Sequence, residues 1–156
     1  MGTNVVRFRS TELEASLIAQ GRGSQERDVL RLLSGQWREQ VMGAWLALFH
    51  RREPVTTALL IALSKSAGTL TSPPLITCAV LMAGQGAEST LRGYLANDRR
   101  HAWGGAEFAE VALIDLGLEQ AQAAPPTPAH AQANEDYGQM FQFAKAVAKT
   151  TDSTQM

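Results

Sequence analysis

The residues best suited to chemistry fall between positions 97 and 115. The stretch "NDRRHAWGG", Asn97 to Gly105, sets two arginines, a histidine and a tryptophan beside a glycine pair, and the following "AEFAEVALIDLG" carries Glu107, Glu110 and Asp115. Glu107 and Glu110 are one helical turn apart, so they share a face that two carboxylates doing general acid–base work would need. With Asp115 and His101 in the same cleft they would make a small hydrolase. The competing reading makes the two glutamates a solvated face near a helix N-terminus, where negative charge is favoured, and Asp115 a cap to a neighbouring loop. Trp103 next to Arg99 and Arg100 has the composition of a protein-interaction hot spot. The plainer alternative is that Trp103 closes the apolar end of the last repeat while the arginines are solvated. Together with the exposed turn Arg51-Arg52, the partner-binding candidates are Arg51, Arg52, Arg99, Arg100, His101, Trp103, Glu107 and Glu110.

Other chemistries find less material. His50, His101 and His130 lie far apart in the chain without a ligand-spaced neighbour, so neither a metal nor another cofactor is expected. His50, beside Arg51 and Arg52 at a helix end, suits a charge interaction with the helix C-terminus. "GQG" at 84–86 lacks the third glycine of a dinucleotide fingerprint and reads as a helix stop. No nucleophile elbow or phosphate loop is present. The lone Cys78 sits in "ITCAVLMA", where a thiol behaves as a small buried hydrophobe.

Formal charge is −1, whereas a nucleic-acid binder usually shows a basic excess. The arginines at 7, 9, 22, 27, 31, 38, 51 and 52 would have to line one groove, but acids alternate with them, which suits a solvated face. The amino-terminal residues lack an apolar core of signal-peptide length, and no run approaches the ~20 apolar residues of a membrane span. The expectation is a cytoplasmic protein that binds another protein, with no membrane partner.

The elements that must position these residues are helices. Alanine occurs 24 times against 12 for valine and isoleucine together, which favours helix over strand. In "QWREQVMGAWLALFH" the residues Trp37, Val41, Ala44, Trp45, Leu48 and Phe49 recur on one helical face, which makes Trp37 and Trp45 core residues. Pro54 opens "PVTTALLIALSKSA" and Ser72-Pro73 opens "PLITCAVLMAG". Both are apolar on nearly every side, the mark of helices buried between neighbours. With "LEASLIAQ", "QERDVLRLL", "AESTLRGYLAN" and "AEFAEVALIDLG", seven helices precede residue 118; Val5 to Phe8 is ambiguous.

"AWLALFHRREPVTTALLIAL" (44–63) and "CAVLMAGQGAESTLRGYLAN" (78–97) align at an offset of 34, each an apolar helix, a polar turn and a second helix. "ALIDLG" follows one period later. Helix pairs at this period are the size of a helical-solenoid repeat. The expected organisation is a repeat domain over 1–118, an Ala/Gln/Pro-rich linker over 119–134, a helix over 135–149 and a disordered tail over 150–156. In that helix Tyr137, Met140, Phe141 and Ala144 share a face, which docks on the body or on a second copy as a homodimer contact.

With "GQWREQVMGAW", "CAVLMAGQG", "LRGYL" and the closing "ALIDLG" in place, the chain resembles an uncharacterised bacterial family of small HEAT-like proteins across roughly residues 35–118. The resemblance implies an all-α, HEAT-like solenoid of helix pairs with an extra C-terminal helix. It also implies a non-catalytic role, such as an immunity protein that neutralises a cognate toxin by occlusion. Adaptor or scaffold function is the alternative. Asn97 to Gly105 departs from the family pattern, which has acidic and aromatic residues there, and no site residue carries over.

Overall fold

Proline, glycine and small capping groups set the helix boundaries. In the computed structural model, which describes residues 11–121 and 125–152, the helices are α1 (Thr11–Gly23), α2 (Glu26–Leu33), α3 (Trp37–Ala47) and α4 (Glu53–Lys65). They continue as α5 (Ser72–Ala83), a 3-10 turn (Gly84–Ala87), α6 (Glu88–His101), α7 (Ala106–Asp115) and α8 (Pro128–Asp152). The described residues are all-α, and seven α-helices precede residue 118 as the periodicity requires. Val5 to Phe8, Arg7, Arg9 and the tail from residue 153 lie outside the described residues.

Each start has a local cause. Gln36 N–H donates to Glu39 Oε2 at 2.6 Å, closing a capping box on α3. Pro54 and Pro73 occupy the first turns of α4 and α5, where a missing N–H costs nothing. Gly84, at φ 54°, stops α5 and turns the chain into the 3-10 segment.

α8 begins at Pro128, inside the stretch whose composition reads as linker. Thr127 supplies the cap: its Oγ1 accepts from His130 N–H at 3.2 Å, and proline at the first position adds to the alanines that follow. The helix also takes in Thr150 to Asp152, beyond the expected end at 149.

The helices pack in two layers. α1 touches α3, α3 touches α5 and α5 touches α7, while α2 touches α4 and α4 touches α6. Odd and even helices thus form separate layers, which meet where α2 touches α3, α4 touches both α3 and α5, and α6 touches α7. α3, α5 and α7 start at Trp37, Ser72 and Ala106, spacings of 35 and 34 residues. α8 does not extend either layer. It lies over the odd layer, touching α7, α5 and α1, and its Phe143 meets Trp45 of α3 edge to face at 5.3 Å.

This arrangement explains why α5 is apolar all round. It has α3 and α7 beside it, α4 and the 3-10 turn on the even side, and α8 on the other. Every residue from Ser72 to Val80 is buried, and side chains such as Leu75 and Ile76 contribute roughly 1.5–3 kcal/mol each when fully buried. The polar groups inside are satisfied locally: Thr77 Oγ1 donates to Pro73 O and Ser72 Oγ to Gly68 O, both at 2.8 Å. Burial pushes the Cys78 thiol far above its usual range, so it is a packing residue.

Two expectations about burial fail. Trp45 is core, but Trp37 is 45% exposed, because it begins α3 at the rim before the helix passes between its neighbours. α4 is apolar all round from Ala58 to Leu63, yet among the described residues no helix covers its outer side, and Ile61 is 49% exposed. No helix among the described residues is long and apolar enough to cross a membrane.

Candidate functional site

Antiparallel pairs put alternate turns at opposite edges. Arg51 and Arg52 lie in the α3–α4 turn with the α1–α2 turn, where Arg52 pairs with Glu26 at 3.8 Å and Arg51 with Asp152 at 4.0 Å. Arg99, Arg100, His101 and Trp103 belong to the α6–α7 connection at the other edge. The eight partner-binding candidates therefore do not form one surface, a difference that follows from the antiparallel path of each pair.

The corner itself is shorter than "NDRRHAWGG". Asn97 to His101 form the last turn of α6, where Arg99, Arg100 and His101 meet the negative end of the helix. Only Ala102 to Gly105 turn the chain. Ala102 adopts the left-handed conformation at φ 53°, and both its N–H and that of Trp103 donate to Asp98 O. A non-glycine residue there costs about 1 kcal/mol.

Asp98, which sequence reasoning missed, holds this corner. Its carboxylate is 1% exposed and accepts from the Tyr94 hydroxyl at 2.7 Å and from Gly105 N–H at 2.8 Å, at the start of α7. A Cβ at Gly105 would lie 2.2 Å from Tyr94 Oη, so only glycine permits the approach. The spacing Tyr94-x-x-x-Asp98, one helical turn, was the available signal.

The corner presents Trp103 half-buried, stacked on His101 at 4.9 Å and tilted against Tyr94. His101 Nδ1 hydrogen-bonds Asn97 O at 2.9 Å. Trp103 forms one wall of an open hollow of about 380 Å³ whose other walls are Trp37 and the α4–α5 turn, including Leu70 at 51% exposure. The Arg38 guanidinium covers the outer face of Trp37 at 4.8 Å. Arg100 is exposed with no ion pair among the described residues.

Glu107, Glu110 and Asp115 do share a groove, of about 830 Å³ between α7 and α8, but His101 is not in it; His130 of α8 is. Glu110 pairs with Arg99 on one side, and its Oε2 lies 3.6 Å from His130 Nδ1 on the other. Asp115 is no loop cap. It accepts the Tyr137 hydroxyl at 2.8 Å, fastening α8 to the end of α7. Tyr137 in turn stacks on Phe141 and meets Phe108 edge to face.

Folding also brings Ser24 Oγ within 2.8 Å of His50 Nε2, so His50 bonds a side chain beyond its own helix end. Ser24 Oγ is 2.7 Å from Gly21 O, and among the described residues no carboxylate orients His50. The pair therefore lacks the third member of a hydrolytic triad. No group of three metal-ligating side chains occurs among the described residues. Of the arginines proposed for nucleic acid, Arg27, Arg51 and Arg52 are engaged by carboxylates and Arg38 by Trp37.

Two outcomes test this geometry. Replacing Asp98 by alanine strands the Tyr94 hydroxyl and the Gly105 N–H, so urea unfolding should show a loss of about 3 kcal/mol, against under ~0.5 kcal/mol if the carboxylate were solvated. Tyr94 and Tyr137 are the two tyrosines of the chain, and burial pushes both hydroxyls well above the ordinary tyrosine value. Asp98 and Asp115 add to the rise, while Ser72 opposes it at Tyr94. Stability from such groups is complete below the unfolded value of about pH 10 and is lost as pH rises beyond it. Tyrosinate absorbance should therefore emerge only as helical circular dichroism collapses; titration near pH ~10 in a fully helical chain would contradict their burial.

No family model matches the chain, and no curated protein or solved structure matches it either.

Proposed function

We propose that the protein is a non-catalytic protein-binding module built of HEAT-like helix pairs, with its contact surface at the edge bearing Trp37, Leu70 and Trp103. The pairwise layers and the 34–35-residue spacing of helix starts support the repeat reading. The observation that carries the functional reading is the aromatic hollow. Two tryptophans and a leucine stay accessible around it, with Arg38 over Trp37 and His101 stacked on Trp103. Buried aromatic and arginine anchors dominate binding energy at interfaces, and the left-handed Ala102 that presents Trp103 is strain of the kind found at functional sites. Arg51 and Arg52 leave this surface, being at the opposite edge.

Within this reading an immunity-type role, occlusion of a cognate toxin, rests on the family resemblance, and an adaptor role uses the same surface. A second reading, acid–base chemistry, is favoured by Glu107, Glu110, Asp115 and His130 sharing the α7–α8 groove. It is weakened because Glu110 is already matched by Arg99 and Asp115 by Tyr137.

The test is co-purification and calorimetry with the product of the adjacent gene, followed by Trp37→Ala and Trp103→Ala. Loss of two anchors should weaken binding at least about a hundredfold, with helical content unchanged. Unchanged affinity in the double variant would reject this edge as the contact surface. A stoichiometric complex that leaves the partner's activity intact would favour adaptor over inhibitor.

A further inference from the structure

The groove between α7 and α8 has an organisation that protein docking at the tryptophan edge does not use. Its walls are apolar in the middle, with Val111 and Ile114 on α7 facing the stacked Tyr137 and Phe141 on α8. Carboxylates stand at its two ends. Glu107 makes no ion pair among the described residues, and Asp115 receives only the neutral Tyr137 hydroxyl. Glu110, between them, is occupied by Arg99 and His130. Glu107 and Asp115 are eight residues apart on one helix, roughly 12 Å along its axis. The aromatic wall already carries one ammonium: Lys145 Nζ stands 5.2 Å from the Phe141 ring centroid.

We infer that this groove binds a linear aliphatic diamine, its two terminal ammonium groups on Glu107 and Asp115 and its methylene chain along Val111 and Ile114. A volume of about 830 Å³ lies within the usual range of small-molecule sites. The charge pattern selects for a ligand positive at both ends and apolar between. A simple dication satisfies the ends without the wall, and an alkyl monoamine satisfies the wall and one end. The site is independent of the protein-binding reading, since it uses neither tryptophan.

1,8-Diaminooctane, whose extended length matches the span and whose chain carries no inner charge, is the probe. Titration into the full chain, followed by calorimetry and by the methyl resonances of Val111 and Ile114, should show one-to-one binding and shifts at those methyls. Putrescine, too short to bridge, and n-octylamine, with one charge, should each bind at least about tenfold more weakly. Glu107→Gln and Asp115→Asn should each weaken 1,8-diaminooctane about tenfold. The side-chain amide oxygen in the second variant still accepts the Tyr137 hydroxyl, so helix packing is kept. Glu135→Gln, an exposed acid outside the groove, should change nothing.

Displacement of 1,8-diaminooctane by magnesium at equal charge, or methyl shifts elsewhere, would reduce the effect to counterion binding and overturn the proposal. So would a lysine-rich peptide that binds the groove while 1,8-diaminooctane does not. The length series in the unmodified protein decides the matter even if either variant unfolds.

Discussion

A helix that is apolar on every side cannot border water, and α5 imposes that constraint on the whole chain. From Ser72 to Val80 it offers no face to solvent, so it needs neighbours at both flanks, above and below. Two layers of paired helices supply three of these directions. The fourth is supplied by α8, which places Met140, Phe143, Ala144 and Val147 in the interior and sets Phe143 against Trp45. The C-terminal helix is thereby part of the core, covering a layer that a bare stack would leave open.

Two carboxylates, the buried Asp98 and the exposed Asp115, each fix a joint. Asp98 accepts from Tyr94 and Gly105, tying the end of α6 to the start of α7; Asp115 accepts from Tyr137, tying the end of α7 to α8. The Asp98 carboxylate and the Tyr137 hydroxyl are buried groups that would be costly without these partners, which gives the pairs directional force that apolar contacts lack. One joint sets the attitude of Trp103. The other sets the separation of the walls of the acidic groove. The accessible features at both candidate sites are consequences of how the interior is closed.

Much of this was legible in the sequence because it depends on period and punctuation. Helical spacing, the prolines at 54 and 73 and the offset of 34 residues locate the helices through residue 118. What escaped depends on tertiary position. Trp37 and Trp45 share a helical face, but Trp37 opens α3 at the rim while Trp45 lies under Phe143. His101 belongs by sequence with Glu107 and Glu110, yet it stacks on Trp103 and His130 reaches the glutamate from α8. Pro128 read as linker because composition outweighed its role as a helix opener. Asp98 stands one helical turn from Tyr94, but its second donor, the Gly105 N–H, arrives only when the chain turns into α7, which local spacing does not specify.

The central claim is that α8 and the two helix layers close around α5 as one cooperative unit, and native-state hydrogen exchange measures this directly. The account predicts that the slowest amides of α5 and those of Tyr137 to Ala148 in α8 exchange with the same opening free energy, equal to that of global unfolding. Exchange in that part of α8 faster by about a hundredfold or more, with α5 still fully protected, would show that α5 is buried without α8 and would contradict it.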